Sequence, residues 1–424
     1  MQVYSHDAAH TVVEPYHLNT LYLLSALCLI LMTLSLGTQP LYLRSELGIS
    51  AARAGAINAN IMVVGETLEL IVAGLVGYLS DRLGRKRIMV QGFLLAAVGA
   101  SVAPFSAVLA GWFGVGGLTI YYMARMLMAV GIGAVWPQLW AIGGDYSDHG
   151  SRARLMGNSA FMMALGKTLV YAVLMQIPPK GGIVLTMLLV AVAAFAGAKL
   201  AESRMIDAGV KLQQPSVPWG RIRRLLADNP RLRLSFAAGF LARSDMVITA
   251  LFLMLWCVYF AERAGVTREA AAAHGGMLIG LAGLVVMVSI PLWKIAIERF
   301  GRVAAIAASV ALSGVGFVMI GFVANPFESF IMLPVAIAAL GQAGCFLTPS
   351  ILAVDVTPPD IRGSVLGAFA VVGGVGQVFF IQSGGILYDV VGPAGPFVFI
   401  GLANLIVTAY AVSMMDLGAE VRPS

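Results

Sequence analysis

The sequence predicts an all-α membrane protein with twelve transmembrane helices in two pseudo-symmetric six-helix bundles. Three observations carry that expectation. Hydrophobic residues make up 59% of the chain, charged residues only 11%, and the mean hydropathy is +0.88; soluble domains average about 25% charged residues. Apolar runs of about 20 residues, enough to cross a bilayer core as a helix, recur from end to end. A shift of the chain by 210 residues lays Asp145, Arg152 and Gly157 over Asp355, Arg362 and Gly367, Gly131 over Gly341, and Gly166 over Gly376, the signature of an internal repeat.

Taken in order, the spans are expected near 19–41, 54–79, 88–112, 117–143, 155–177 and 183–201, then 234–260, 272–297, 304–323, 329–354, 363–389 and 396–416. Pro178-Pro179 and Pro358-Pro359 punctuate loops. The one long polar stretch, 202–233, contains Gln213-Gln-Pro-Ser-Val-Pro218 and the basic run Arg221 to Arg224, and it divides six spans from six. The expected organisation is therefore a tail at 1–18, a first bundle at 19–201, a basic linker at 202–233, a second bundle at 234–416 and a tail at 417–424. Residues 1–18 lack the basic n-region and cleavage site of a signal peptide, so the first span reads as a retained helix.

Lys and Arg distribution sets the orientation. With the N-terminus inside, seventeen of these residues fall in cytoplasmic loops and tails and five in outer loops, which places both termini in the cytoplasm. The same cations face anionic lipid headgroups, so the basic pI calls for membrane lipid and for no nucleic acid. Cys28, Cys257 and Cys345 all fall inside spans without CxxC spacing, predicting neither a disulfide framework nor a zinc site.

Between the second and third spans stands Gly77-Tyr-Leu-Ser-Asp81-Arg82-Leu-Gly84-Arg85-Lys86-Arg87, and a worn copy, Glu298-Arg299-Phe-Gly301-Arg302, follows span eight. The segment resembles the loop signature of the major facilitator superfamily position by position: glycine, aspartate-arginine, glycine, basic run. Arg125-Met-Leu-Met-Ala-Val-Gly131-Ile-Gly133 is similar to the arginine-and-glycine pattern of the fourth span in that family. The resemblance implies a secondary transporter that rocks two halves around a central site near mid-membrane. It implies a gating role for the two loops and a role for Arg125 in proton coupling or substrate binding. No cofactor is implied, the substrate is a small molecule or ion, and the working unit is expected to be a monomer.

Ionisable residues inside a membrane are costly and read as functional. The clearest are Glu66 and Glu69 in span two, Arg125 in span four, Lys167 in span five, and Arg243 and Asp245 in span seven. At about 1.5 Å per residue, Glu66 and Glu69 lie roughly 22 and 18 Å above Asp81, Lys167 about 18 Å up span five and Asp245 about 17 Å up span seven. These four charges are thus expected to share one layer. Glu66 and Glu69, three apart, point to nearly the same helix face. Two carboxylates in a poorly hydrated site do not both ionise easily, so one is expected to hold a proton, as proton-coupled transport requires. The same pair would also suit a cationic or metal substrate, and no metal ligand is assigned. The alternative reading of these charges is a buried ion pair with Lys167 or Arg243 that only holds helices together. The repeat puts Val335 under Arg125 and Gln377 under Lys167, so chemistry is concentrated in the first half. Trp136, Gln138, Gln342 and Gln377 are placed to line a polar substrate, although each also suits an interhelical contact.

Rival classes fare worse. Gly166-Lys-Thr168 is no phosphate loop, because Phe161 stands where that motif needs glycine and the triplet is inside a span. A transmembrane haem protein needs paired intramembrane histidines, and the five here (His6, His10, His17, His149, His274) lie outside spans or at a span end. No enzyme activity is expected; a sensor or scaffold on the same fold is the remaining alternative. Span five lacks the proline signature of drug–proton antiporters. Gly65-Glu66-Thr-Leu-Glu69 and Trp136-Pro-Gln-Leu-Trp140 resemble magnetosome-associated members of the superfamily. That resemblance implies iron or an iron chelate as substrate, and either the bacterial inner membrane or an invaginated organelle membrane as the location.

Overall fold

The computed structural model describes residues 13–147, 151–207, 219–358 and 361–416. Among these residues all regular structure is helical, and twelve helices are long and apolar enough to cross a membrane. In chain order they are spans 1 to 6, Pro15–Ser45, Ala54–Leu83, Arg85–Phe113, Gly117–Asp145, Arg152–Ala172 and Pro178–Arg204. Spans 7 to 12 are Pro230–Phe260, Arg268–Phe300, Arg302–Gly321, Met332–Asp355, Arg362–Val390 and Ala394–Asp416.

Local chemistry sets the ends and breaks. Span 2 stops at Gly84, whose φ of 92° is costly for any residue with a Cβ, and span 3 starts at the next residue. Asn229 caps span 7 by accepting hydrogen bonds from the Arg231 and Leu232 amides, and Thr267 caps span 8 at Ala270. Span 3 tightens into a 3₁₀ turn at Ala103–Phe105, where Pro104 cannot donate to the helix ladder. At this break the Pro104 carbonyl accepts from the Tyr42 hydroxyl at 3.2 Å, a side-chain partner for backbone where the regular ladder changes.

The two sets of six repeat one another's contacts. Span 3 packs on 4 and 6, 5 on 1, and 4 on 2, as 9 packs on 10 and 12, 11 on 7, and 10 on 8. The paired glycines sit at matching crossings. A Cβ on Gly131 would strike Gly92 and Ala96 of span 3, and one on Gly341 would strike Ser309 and Ser313 of span 9. Gly166 abuts the Ala26 carbonyl of span 1 as Gly376 abuts the Phe240 carbonyl of span 7. Small residues here let helix backbones approach closely.

The halves meet through spans 2 and 11, 5 and 8, and 1 and 7. Several polar contacts between them lie on the face opposite the loop at Gly84. The Asp389 carboxylate at the end of span 11 accepts from the Gly55 and Ala56 amides, at 2.7 and 2.9 Å, where span 2 begins. A carboxylate at a helix N-terminus is favoured by the dipole. Glu262 is shared by Arg44 and Arg268, the Tyr259 hydroxyl donates to the Ile49 carbonyl, and the Gln176 amide donates to the Ala273 carbonyl. The hydrogen bonds from Arg268 and then Arg44 hold the Glu262 carboxyl below the usual carboxylate range.

The stretch at 202–233, expected only as a polar linker, contains a helix at Trp219–Asp228. Its Ile222, Leu225 and Leu226 pack on Leu232 and Phe236 of span 7, Ala353 of span 10 and Val365 of span 11. Apolar positions three and four apart make that face. Residues 1–12, 208–218 and 417–424 of the expected tails and linker lie outside the described residues.

Candidate functional site

Span 2 carries the acid pair to the contact between the halves. Gly133 of span 4 is so close to the Glu69 backbone that a Cβ there would lie 2.9 Å from Glu69 Cα. This crossing presses span 2 onto span 4 and brings Glu66 and Glu69 beside Arg125. Both carboxylates are half-buried, and both feel the charges of Arg125 and Arg243. The Gln377 amide of span 11 lies within hydrogen-bonding reach of Glu66. Arg243 reaches the group across Gly373 of span 11, 3.2 Å from Arg243 Cδ to a Cβ built there. The cluster therefore draws on spans 2, 4, 7 and 11, two from each half.

Arg125 stands between this cluster and the interior of the first bundle. It borders a cavity of about 10 Å³ lined also by Ser35, Thr38, Tyr121 and Met128. Its Nη2 has the Met62 sulfur 4.0 Å away, and its Nε is buried without a partner. Lys167 is half-buried on span 5. Met163, Val170 and Tyr171, four before and three and four after it, are buried, while Phe161, Leu165, Leu169 and Val173 are exposed. Residues so spaced share a face, so Lys167 belongs to the inward side of its helix.

Asp245 does not join this cluster. It is fully buried inside the second bundle, where the Ser313 hydroxyl donates to Oδ2 and the Asn404 amide donates to Oδ1 at 3.0 Å. The reason is angular: two residues along a helix turn about 200°, so Arg243 toward the centre means Asp245 away from it. Gln342 is spent on the same network, donating to Thr249 Oγ1 at 2.9 Å and to the Asp245 carbonyl at 3.5 Å, and is 3% exposed. It is an interhelical tie and not a cavity-lining group. Trp136 is half-buried and packs edge-on against Trp140; Gln138 is buried with its Oε1 unpartnered.

The loop residues form ties within each half. Arg85 pairs with Asp145 at 3.0 Å, and Arg302 with Asp355 at 2.7 Å. The repeat thus places one ion pair at the same corner of both bundles. In the first half Asp207, which sequence reasoning passed over, adds a clasp by accepting from the Lys86 amide at 2.8 Å against Gly84. Gly301 repeats the Gly84 turn with φ 85°. Arg82 and Arg87 are exposed, Glu298 lies 4.0 Å from Lys294, and Arg299 stacks over Phe300. The side chains of Gly77 and Asp81 lie outside the described residues. The three cysteines are free and buried.

An acid pair thus faces arginines from both halves, in a chain with twelve membrane-length helices among its described residues. The family model described as Major Facilitator Superfamily matches residues 21–289 and 245–419. Magnetosome protein MamH of Paramagnetospirillum magneticum is 54% identical over 417 residues, covering 98% of this chain and 96% of the relative. Magnetosome protein MamZ of Magnetospirillum gryphiswaldense is 40% identical over 410 residues and 96% of this chain. This chain spans 63% of that relative's length. The fold matches the nucleoside transporter NupG (TM-score 0.74, 13% identity, 94% of this chain and 98% of that one). It also matches the inward open xylose transporter XylE from E. coli (TM-score 0.70, 13% identity, 92% and 94%). The chain belongs to the Major Facilitator Superfamily, and is an integral membrane protein built for secondary transport of a small molecule, not an enzyme.

Proposed function

We propose that this transporter works by proton-coupled alternating access and carries iron or an iron chelate. The membrane would be the bacterial inner membrane or a magnetosome membrane derived from it, with both termini in the cytoplasm. The observation that carries the reading is the pair Glu66 and Glu69 set against Arg125 and Arg243 where the halves meet. A carboxylate pair that shares arginines across a moving interface can exchange a proton for a counter-charge as the halves part. The cross-half ties at Asp389 and Glu262 support a state closed on the face opposite the basic loops. The site then communicates with the cytoplasmic side, and Arg85–Asp145 and Arg302–Asp355 brace each half as it rocks. The magnetosome location is supported by the relatives named magnetosome proteins, and iron enters from the resemblance of the Gly65–Glu69 and Trp136–Trp140 segments to magnetosome-associated members of the superfamily.

The test is uptake of radiolabelled iron, offered as ferrous ion and as ferric citrate, into proteoliposomes with and without an imposed pH gradient. Wild type is expected to accumulate label only with the gradient, and Glu66→Gln to lose accumulation while keeping exchange of label at equal concentrations. Accumulation by Glu66→Gln at the wild-type rate would remove the proposed proton role.

A further inference from the structure

The acid pair faces two arginines. Arg125 and Arg243 come from spans 4 and 7, and with both carboxylates ionised the group is neutral. With one proton bound it carries one net positive charge. Arg125 keeps a buried Nε without a partner and has only the Met62 sulfur beside Nη2, a weak acceptor. Arg243 is exposed beside Glu66, across the glycine at 373. Guanidinium groups grip carboxylates through paired N–H donors, and a buried cation short of an anion is unfavourable. Among the described residues there is no group of three His, Cys, Asp or Glu side chains that would enclose a metal ion, whereas iron and its neighbours are selected by such imidazole, thiolate and carboxylate sets.

Resting on the transporter reading above, we infer that the site takes a small polycarboxylate anion, free or already chelating iron, and does not take a bare metal ion. Arg243 and Arg125 each hold one carboxylate of the cargo, from opposite halves. An anion that engages Arg243 draws it from Glu66, and the acid pair left without that counter-charge takes up a proton. Cargo and proton therefore travel in the same direction. Each carboxylate of a chelate that faces an arginine is one not spent on the metal, so a partly coordinated polycarboxylate suits the site best.

The experiment uses the full chain in proteoliposomes with three probes, citrate, ferric citrate and ferrous ion, recording tracer uptake and pH together, with melting of the detergent-purified protein as a second readout. Citrate, ferric citrate or both are expected to be carried with protons and to raise the melting temperature, while ferrous ion does neither. Citrate alone would identify a free polycarboxylate, and ferric citrate alone a chelate; either supports the inference. Arg243→Gln is expected to weaken the anion at least tenfold without lowering the ligand-free melting temperature, and Arg243→Lys to restore part of the affinity. Carriage of ferrous ion in preference to both anions would overturn the anion class and leave the transporter reading intact. Wild-type affinity in Arg243→Gln would overturn the proposed grip, and transport of none of the three would overturn the polycarboxylate inference while leaving the transporter reading to other cargo.

Discussion

The two halves of this protein share a frame and differ in where they put their charge. The same glycines set the same crossings, Gly131 and Gly341, Gly166 and Gly376, and the same arginine–aspartate corner recurs as Arg85–Asp145 and Arg302–Asp355. Inside the frame they diverge. The first half turns Glu66, Glu69, Arg125 and Lys167 toward the centre. The second turns its own carboxylate, Asp245, into a closed network with Ser313 and Asn404 and offers Arg243 and Gln377 to the acids of the first. Where lipid forbids unpaired charge, one bundle can be fixed by its polar groups and the other left reactive. On the proposed reading, the first half carries the proton chemistry and the second supplies a more rigid partner for it.

The largest expected effect tests the reactive half. Glu66→Gln combined with Glu69→Gln is expected to cut gradient-driven uptake on the order of a hundredfold, about 2.7 kcal/mol in activation terms, with melting little changed. A double variant that still accumulates substrate would break the assignment of chemistry to the first half.

The fixed half answers through stability. Asp245→Ala strands the Ser313 hydroxyl and the Asn404 amide in a dry interior and is expected to cost about 2 kcal/mol. Asp245→Asn is expected to stay within about 1 kcal/mol of wild type. The Asn404 Oδ1 is buried and unpartnered, so its amide can flip and accept from the new one. Proton-coupled uptake should survive Asp245→Asn. Loss of coupling in that variant without loss of stability would give the second half a proton role and dissolve the contrast.

The frame itself is compared by its two corners. Arg85 and Asp145 are 18% and 16% exposed, Arg302 and Asp355 46% and 41%. Asp145→Asn is accordingly expected to destabilise by about 1 kcal/mol and Asp355→Asn by less than about 0.5, since exposed pairs are worth little. Equal effects in denaturant or thermal melts would show that burial does not distinguish the corners.

What the sequence made legible follows from periodicity and length. Twelve apolar runs of bilayer length announce twelve helices, and the bounds found differ from those read by a few residues. The repeat was visible because its glycines and the Asp145 and Asp355 segments share one 210-residue spacing, from which the basic loops at Arg85 and Arg302, 217 apart, differ by only a few residues. Counting residues along each helix gives Glu66, Glu69, Lys167 and Asp245 a common expected height. Azimuth is not legible that way. The count could not say that Asp245 turns away from Arg243, nor that Gln342 turns in beside it. The helix at Trp219–Asp228 was missed because its flanks are polar and basic; Ile222, Leu225 and Leu226 were the available signal. Asp389 and Glu262 sit at span ends with no motif around them, and only the fold shows that they reach across to the other half.

The smallest effect concerns that reach. Glu262 joins the halves through Arg44 and is held within its own half by Arg268, and those hydrogen bonds hold its carboxyl below the ordinary range. A carboxylate with a depressed folded-state value contributes its full stabilisation above the unfolded value, near 4.3 for glutamate. The contribution is lost as pH falls through the lower folded-state value. Closure of the face opposite the basic loops is therefore expected to be unchanged from pH 7 to about 5 and to loosen slightly below about 4. Spin labels at the ends of spans 1 and 7 would read this as a minor second distance at low pH. The pair is exposed, so about 1 M salt, with a Debye length near 3 Å, should mimic the acid effect at neutral pH. Glu262→Gln should show the minor distance at every pH. If Glu262→Gln instead kept a single closed distance at neutral pH, closure would rest on the other cross-half tie, from the Asp389 carboxylate to the Gly55 and Ala56 amides of span 2. Closure would then hang on a tie that salt screens far less, because it is made within a helix N-terminus and not between two solvated side chains.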